Sequence, residues 1–490
     1  MKKFWKYFLI VILALIGLMF IGVLFMFFFP GKSLFGICYI SQNERKTSKM
    51  FSTTDNVINL VELNSRSYDI DVISTDGDDV YAYVYFNSFG FVAKKHSVGA
   101  INATLNDAKL VINIAEPYGA CIPNNSKITI CLPKSATLNL KLNNKNALVN
   151  FDDTKLKINN LTCKTERGEF RLKQGEIFGT IVADLNRGDF KIEKAFKLNN
   201  NDVTLNTYSA DFLAEEASFG NFVVKSNNRA RVKLKNCESF NFSLKQGEQA
   251  GGSVAIDTVG NITIVSTDTN VDINTITANG VIELTKNGKI NIGTISAVSS
   301  VKTHNGDIDI VKATASLTLT STNNGNITLV NSTASLTART NYGNITLKFD
   351  ETTPSNKENA HVRMANLTTI SGKVTVVGAD CVNIKITGSG QADVRMHDVN
   401  GKNNTIEANS GFVYVQFADN AKFKLTTNSK SGISNVNYTA RNNLGESNYE
   451  QTGETSFLIN TTTENNNSLT ITSNSGNIKV RDDKMASLGY

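Results

Sequence analysis

The stretch TNNGNITLVNSTASLTARTNYGNITLKFD, residues 322–350, states one phrase twice: Gly325-Asn-Ile-Thr-Leu returns as Gly343-Asn-Ile-Thr-Leu after 343 − 325 = 18 residues. Aligned on the glycine, apolar or small residues fall at −7, −5 and −3 and again at +2 and +4, which around Gly343 are Leu336, Ala338, Thr340, Ile345 and Leu347. The same frame holds at Gly168 (Leu161, Cys163, Thr165, Phe170, Leu172), Gly188 (Ile181, Ala183, Leu185, Phe190, Ile192) and Gly476 (Leu469, Ile471, Ser473, Ile478, Val480). Ala210 takes the glycine's place between Val203, Leu205, Thr207 and Phe212, and Gly288, Gly306, Gly372, Gly411 and Gly432 fit with small slips.

Alternation with period two makes two short strands per unit, each with one face turned inward. Between them a glycine after Asn, Tyr or Ser marks a turn, where a residue without Cβ is expected to take positive φ. A unit this short cannot bury an apolar face alone. Units stacked ~4.8 Å apart can, because each strand pairs with its counterpart in the next coil and the inward side chains form one column. The expected fold class is therefore all-β, a single-stranded β-helix or β-solenoid. A meander of hairpins would turn every ~8–12 residues, more often than this chain does.

Outward from the repeats, the 490-residue chain reads as five segments. Residues 1–31 are a short cytoplasmic tail and a transmembrane signal anchor: Lys2, Lys3 and Lys6 precede an uncharged apolar run, Tyr7 to Phe29. That run exceeds the ~20 residues a helix needs to span a bilayer and the ~7–15 of a cleavable signal. The lysines keep the tail in the cytoplasm, so the rest is expected outside it. Residues 32–55 read as a polar stalk, 56–150 as a β-rich capping module, 151–482 as solenoid and 483–490 as a tail. The array looks irregular near 235–285, and DETTPSNKENA at 350–360 reads as a loop leaving the coil. Among six cysteines no CxxC spacing suggests zinc, and an oxidising exterior permits a Cys121–Cys131 bridge, the alternative being two buried small residues. Cys163 falls at an inward repeat position, which favours packing over reactivity.

SYDIDVIS, DDVYAYV, ITICLPKSATLNLKL and the glycine phrases together resemble the DUF4097-like "putative adhesin" family of bacterial membrane-anchored envelope proteins. The resemblance implies a right-handed β-helix outside the membrane and no catalytic residues. Asn144-Lys145-Asn146 stands where the family usually has Ser-Gly, which leaves the first coil's register open.

Chemistry is sparse. His96, His304, His361 and His397 lack metal-ligand spacing, no GxSxG or HExxH occurs, and no phosphate-cradling loop is present, so no cofactor and no enzyme activity are expected. Asp307 and Asp309 alternate on one strand and are weighed as a carboxylate pair against an ordinary solvated face. Arg229, Arg231, Lys233 and Lys235 also alternate, so all four face outward and offer a surface for an anionic ligand; the plain alternative is a charged face that keeps the coils soluble. A formal charge of +6 is mild for this length and gives no support to nucleic-acid binding. The expected partners are the membrane, through a single-pass anchor, and an envelope glycan, an anionic polymer or another surface protein. The expected role is adhesion or an interaction scaffold in the cell envelope. A regulatory partner of other membrane proteins is the alternative and a polysaccharide-active enzyme the more distant one.

Overall fold

The structure is a computed structural model and describes residues 2–28, 33–34, 37–66, 68–93, 101–115, 119–123, 127–194, 196–198, 200–244, 251–350, 363–401, 403–419, 421–437, 449–459 and 466–483. After one helix, Lys2–Phe28, the elements are strands, and the chain forms a β-solenoid in two compact units, Met1–Phe219 and Gly220–Tyr490.

In the first unit the coils begin earlier than the repeat phrase does. Leu60–Asn64 pairs in parallel with Lys109–Ile114 on one side and with residues 139–143 on the other. Asp69–Thr75 likewise lies between Lys127–Pro133 and residues 149–151. Ile101–Asn106 and Asp79–Ala93 close these stacks with antiparallel pairing. The coils then follow the frame read from the sequence residue for residue: Leu161, Cys163, Gly168 and Phe170 pair with Ile181, Ala183, Gly188 and Phe190, and these with Val203, Leu205, Ala210 and Phe212. All the inward members except the turn residue Gly188 and the glycine before it are buried, and the rings of Phe170, Phe190 and Phe212 stack with centroids 6.0 and 5.1 Å apart. The segment read as a stalk is different in the structure: Ile37–Thr47 pairs antiparallel with residues 83–93. Its charged composition suggested a solvated linker, but an edge strand carries charged side chains just as well.

The second unit has two parallel stacks, one for each strand of a coil. On one, Ile273, Ile292, Ile310, Leu329, Leu347 and Val376 sit in register and fully inside. The other carries Ile264, Ile282, Val301, Leu319, Ala338 and Leu367 in the same way. The stretch near 235–285, irregular by its glycines, stacks in register in its described residues: residues 236–243 pair with 258–265, Gly252 with Thr269 and Ile262 with Gly280. Thr269 occupies the corner that glycine holds elsewhere, so a frame anchored on glycine slips there. The loop expected at 350–360 lies outside the described residues.

Two further features were not expected. First, the corner glycines Gly306, Gly325, Gly343, Gly372 and Gly476 are absent from the positive-φ residues, which include Gly188, Gly288 and Gly411. They are glycine because a Cβ built on Gly343 would overlap the carbonyl of Gly325, and one on Gly476 that of Gly411. A buried hydroxyl locks the approach: Thr340 accepts the Gly343 N–H at 3.1 Å and donates to the Gly325 carbonyl at 3.1 Å. Outside the corner the following residue does the same job. The Asn326 N–H donates to the Asp307 side chain at 2.8 Å, the Asn344 N–H to Asn326 at 2.9 Å and the Lys373 N–H to Asn344 at 2.8 Å. The Gly-Asp/Asn phrase is thus a coil-to-coil latch.

Second, the last coils do not stack in chain order. Asn404–Ser410 and Val413–Phe417 pair with Ser468–Ser473 and Ile478–Asp482, and only beyond these does Phe423–Asn437 pair. The C-terminal coil is inserted beneath the one that precedes it in sequence. Tyr449–Ile459 then covers Phe423–Asn437 antiparallel.

Candidate functional site

The basic row lies on the long strand Asn201–Leu244. From Phe222 to Leu234 the even-numbered residues other than Asn228 are buried, which turns Lys225, Arg229, Arg231 and Lys233 outward, with Lys235 half-buried at the end. Alternate residues on a strand face stand ~6.6 Å apart. In register beside Arg229, Arg231 and Lys233 are the small residues Gly251, Ser253 and Ala255. Lys225 belongs to the same row. Asn227 breaks the run of cations in the sequence, and only the burial alternation, interrupted at Asn228 alone, joins Lys225 to it.

Asp307 and Asp309 are both occupied structurally. Asp307 takes the Asn326 main-chain and side-chain N–H groups at 2.8 and 3.2 Å, and Asp309 pairs with Lys289 at 3.0 Å. Both carboxylates are thus engaged in coil-to-coil bonds. His304 bonds the Thr322 hydroxyl at 2.6 Å, while His96 and His361 lie outside the described residues. Among the described residues no group of three or more His, Cys, Asp or Glu could hold a metal ion.

The backbone registers keep Cys121 and Cys131 apart. Cys121 pairs with Gly90 and Cys131 with Tyr81 of the same strand, nine positions along. At ~3.3 Å per residue that is about 30 Å, several times the ~4.4–6.8 Å Cα separation of a disulfide. Cys131 is buried, and the Cys121 side chain lies outside the described residues. Cys163 is fully buried and burial pushes its thiol well up, as it pushes Cys237 up to about 12. These thiols pack.

The sequence also passed over a cleft of about 290 Å³ lined by Glu166, Arg167, Asn186, Arg187 and Tyr208. Its signal was present in the repeat frame: Arg167-Gly168 and Arg187-Gly188 place one arginine at the same corner of successive coils.

The N-terminal helix contains Trp5–Phe25, with mean hydropathy 3.1 and none of it buried, long and apolar enough to cross a membrane.

Residues 58–376, more than half of the chain, match the Toastrack DUF4097 family, and the chain belongs to that family. No curated protein matches it. Among solved structures, one described as a "putative cell adhesion protein" from Clostridium sporogenes is similar at 9% identity over 90% of this chain and 100% of that one, with TM-score 0.15. Another, a "putative adhesin" from Bacteroides fragilis, is similar at 11% identity over 72% of this chain and 98% of that one, with TM-score 0.17. Neither likeness bears on what this chain does.

Proposed function

We propose that this is a cell-envelope protein held in the membrane by its N-terminal helix, with the β-solenoid outside the cytoplasm, and that it works by binding along its outer faces, as an adhesin or an interaction scaffold. The reading rests most on the row of outward cations Lys225, Arg229, Arg231 and Lys233 beside the small residues Gly251, Ser253 and Ala255. A rigid strand presents these charges at a fixed repeat, which suits an extended anionic polymer better than a compact ligand. The carboxylates weighed for catalysis support the same reading, since Asp307 and Asp309 serve the stack.

Two measurements on the full chain test this. A C-terminal tag should be digested by protease added to intact cells, and the chain reconstituted in nanodiscs of neutral lipid should retain an anionic envelope polymer. Reversing Arg229, Arg231 and Lys233 to Glu should abolish retention. A protected tag, or retention indifferent to the reversal, would overturn the proposal.

A further inference from the structure

We infer that the cleft at Arg167, Arg187 and Tyr208 is a binding site for one residue of an acidic saccharide, a sugar carrying a carboxylate or a phosphate. The inference concerns the first unit only and does not depend on the basic row or on membrane orientation.

The register sets the cleft's geometry. Arg167 pairs with Arg187, and Arg187 with Ser209, so the two arginines occupy one corner on adjacent coils ~4.8 Å apart. Both are exposed, and among the described residues neither is within ion-pair distance of a carboxylate. The carboxylates nearby are engaged elsewhere: Glu166 with Lys145 at 3.3 Å, Glu169 with Arg171 at 2.8 Å and Lys191 at 3.0 Å, and Asp189 with Lys191 at 3.4 Å. The register thus puts two like charges at one corner of neighbouring coils, where they repel. An anion placed between them relieves that repulsion and accepts from both forks at once.

The second half of the cleft is a platform. Tyr208 is 42% exposed, and the Arg187 guanidinium lies over its ring, 5.7 Å from the centroid. A tyrosine face beside a fixed cation suits a ligand with an apolar ring face and a charge on its rim, and Asn186 adds an amide for a hydroxyl group. At about 290 Å³ the cleft lies at the small end of ligand pockets, which run ~300–1,000 Å³, and it holds one ring and not a folded ligand. A second hollow of about 470 Å³, lined by Lys141, Asn143, Thr162, Lys164 and Asp184, offers Lys164 two residues before Glu166, where the next residue of a polymer would pass.

The test titrates the full chain, in nanodiscs of neutral lipid, with four probes by calorimetry: trigalacturonate, galactose 6-phosphate, neutral trigalactose and a single-stranded oligonucleotide. At least one acidic glycan probe should bind ten-fold or more tighter than trigalactose, and which one does so tells carboxylate from phosphate. Arg167→Ala with Arg187→Ala should cost at least ten-fold, Arg187→Lys less, and Tyr208→Ala should weaken both acidic probes; the remote Lys312→Ala should change nothing. Circular dichroism checks that the variants, all at exposed positions, stay folded. Binding of neither acidic probe, equal binding of trigalactose, tighter binding of the oligonucleotide, or indifference to the double arginine variant would overturn the inference. Charge reversal of the Arg229–Lys235 row reads the earlier proposal separately.

Discussion

Replacing Gly343 by alanine separates two accounts of why glycine recurs at the coil corners. Had glycine been placed for positive φ there, its φ would lie in that region, but it does not. With an ordinary φ and free space, Gly→Ala stabilises by ~0.4–1 kcal/mol through the unfolded chain. The structure gives the opposite sign. The new Cβ would overlap the Gly325 carbonyl and approach the Thr340 hydroxyl oxygen to 3.0 Å, so both the coil spacing and the latch must give. Forced overpacking costs ~1–3 kcal/mol. The two Thr340 hydrogen bonds, at 3.1 Å each, stand to lose ~1 kcal/mol apiece. Set against the alanine gain, the net is a loss of about 2–4.6 kcal/mol. Hydrogen exchange on the full chain reads it locally: amides of residues 336–349 and 364–379 should exchange about 30- to 2,400-fold faster, at 1.36 kcal/mol per decade. Gly77, with nothing within 4 Å of a built Cβ and no positive φ, is the control, and its alanine variant should shift stability by under ~0.5 kcal/mol. Protection in Gly343→Ala within three-fold of the parent would refute the close-approach account.

Three other outcomes follow from the same geometry. Arg363 and Asp380 form a buried bidentate pair at 3.0 and 3.1 Å, with the Asp350 carbonyl accepting a further Arg363 N–H at 2.9 Å. Asp380→Ala should cost ~3–5 kcal/mol in denaturant unfolding by stranding the guanidinium, while an apolar pair at both positions should recover most of it; a loss under 1 kcal/mol would count against the pair. Glu62 is pushed up by burial, but Lys109 at 2.7 Å and Lys141 at 3.4 Å outweigh that and hold its carboxyl below the ordinary 4.5. Its contribution is therefore complete above pH 4.5 and lost as pH falls through the lower folded value, so Glu62→Gln should flatten the acid limb of a melting-temperature profile; an unchanged limb would remove Glu62 from the account. Deleting residues 460–490 should strip protection from 404–417 and 423–437, and a synthetic 466–483 peptide should restore it. Retained protection after the deletion would disprove the inserted coil.

The sequence by itself determined the coil. A solenoid requires each residue to match its counterpart one coil away, so the pairing of Leu161, Cys163 and Phe170 with Ile181, Ala183 and Phe190 was legible as spacing before any coordinates. The anchor-length helix was legible for a similar reason, since composition along one segment decides it. What lies between segments was not. Spacing shows that a glycine recurs, but only the stacked backbones reveal that the preceding carbonyl, not φ, excludes a side chain at Gly343. Parallel strands also pair by matching pattern and not by chain order, so nothing in the sequence could say that Ser468–Ser473 slides between Asn404–Ser410 and Phe423–Asn437. The same holds for the cleft. Two arginines twenty residues apart in sequence (187 − 167 = 20) become a charged pair beside a tyrosine only when the coils close up, because the coil rise, not the chain, sets their distance.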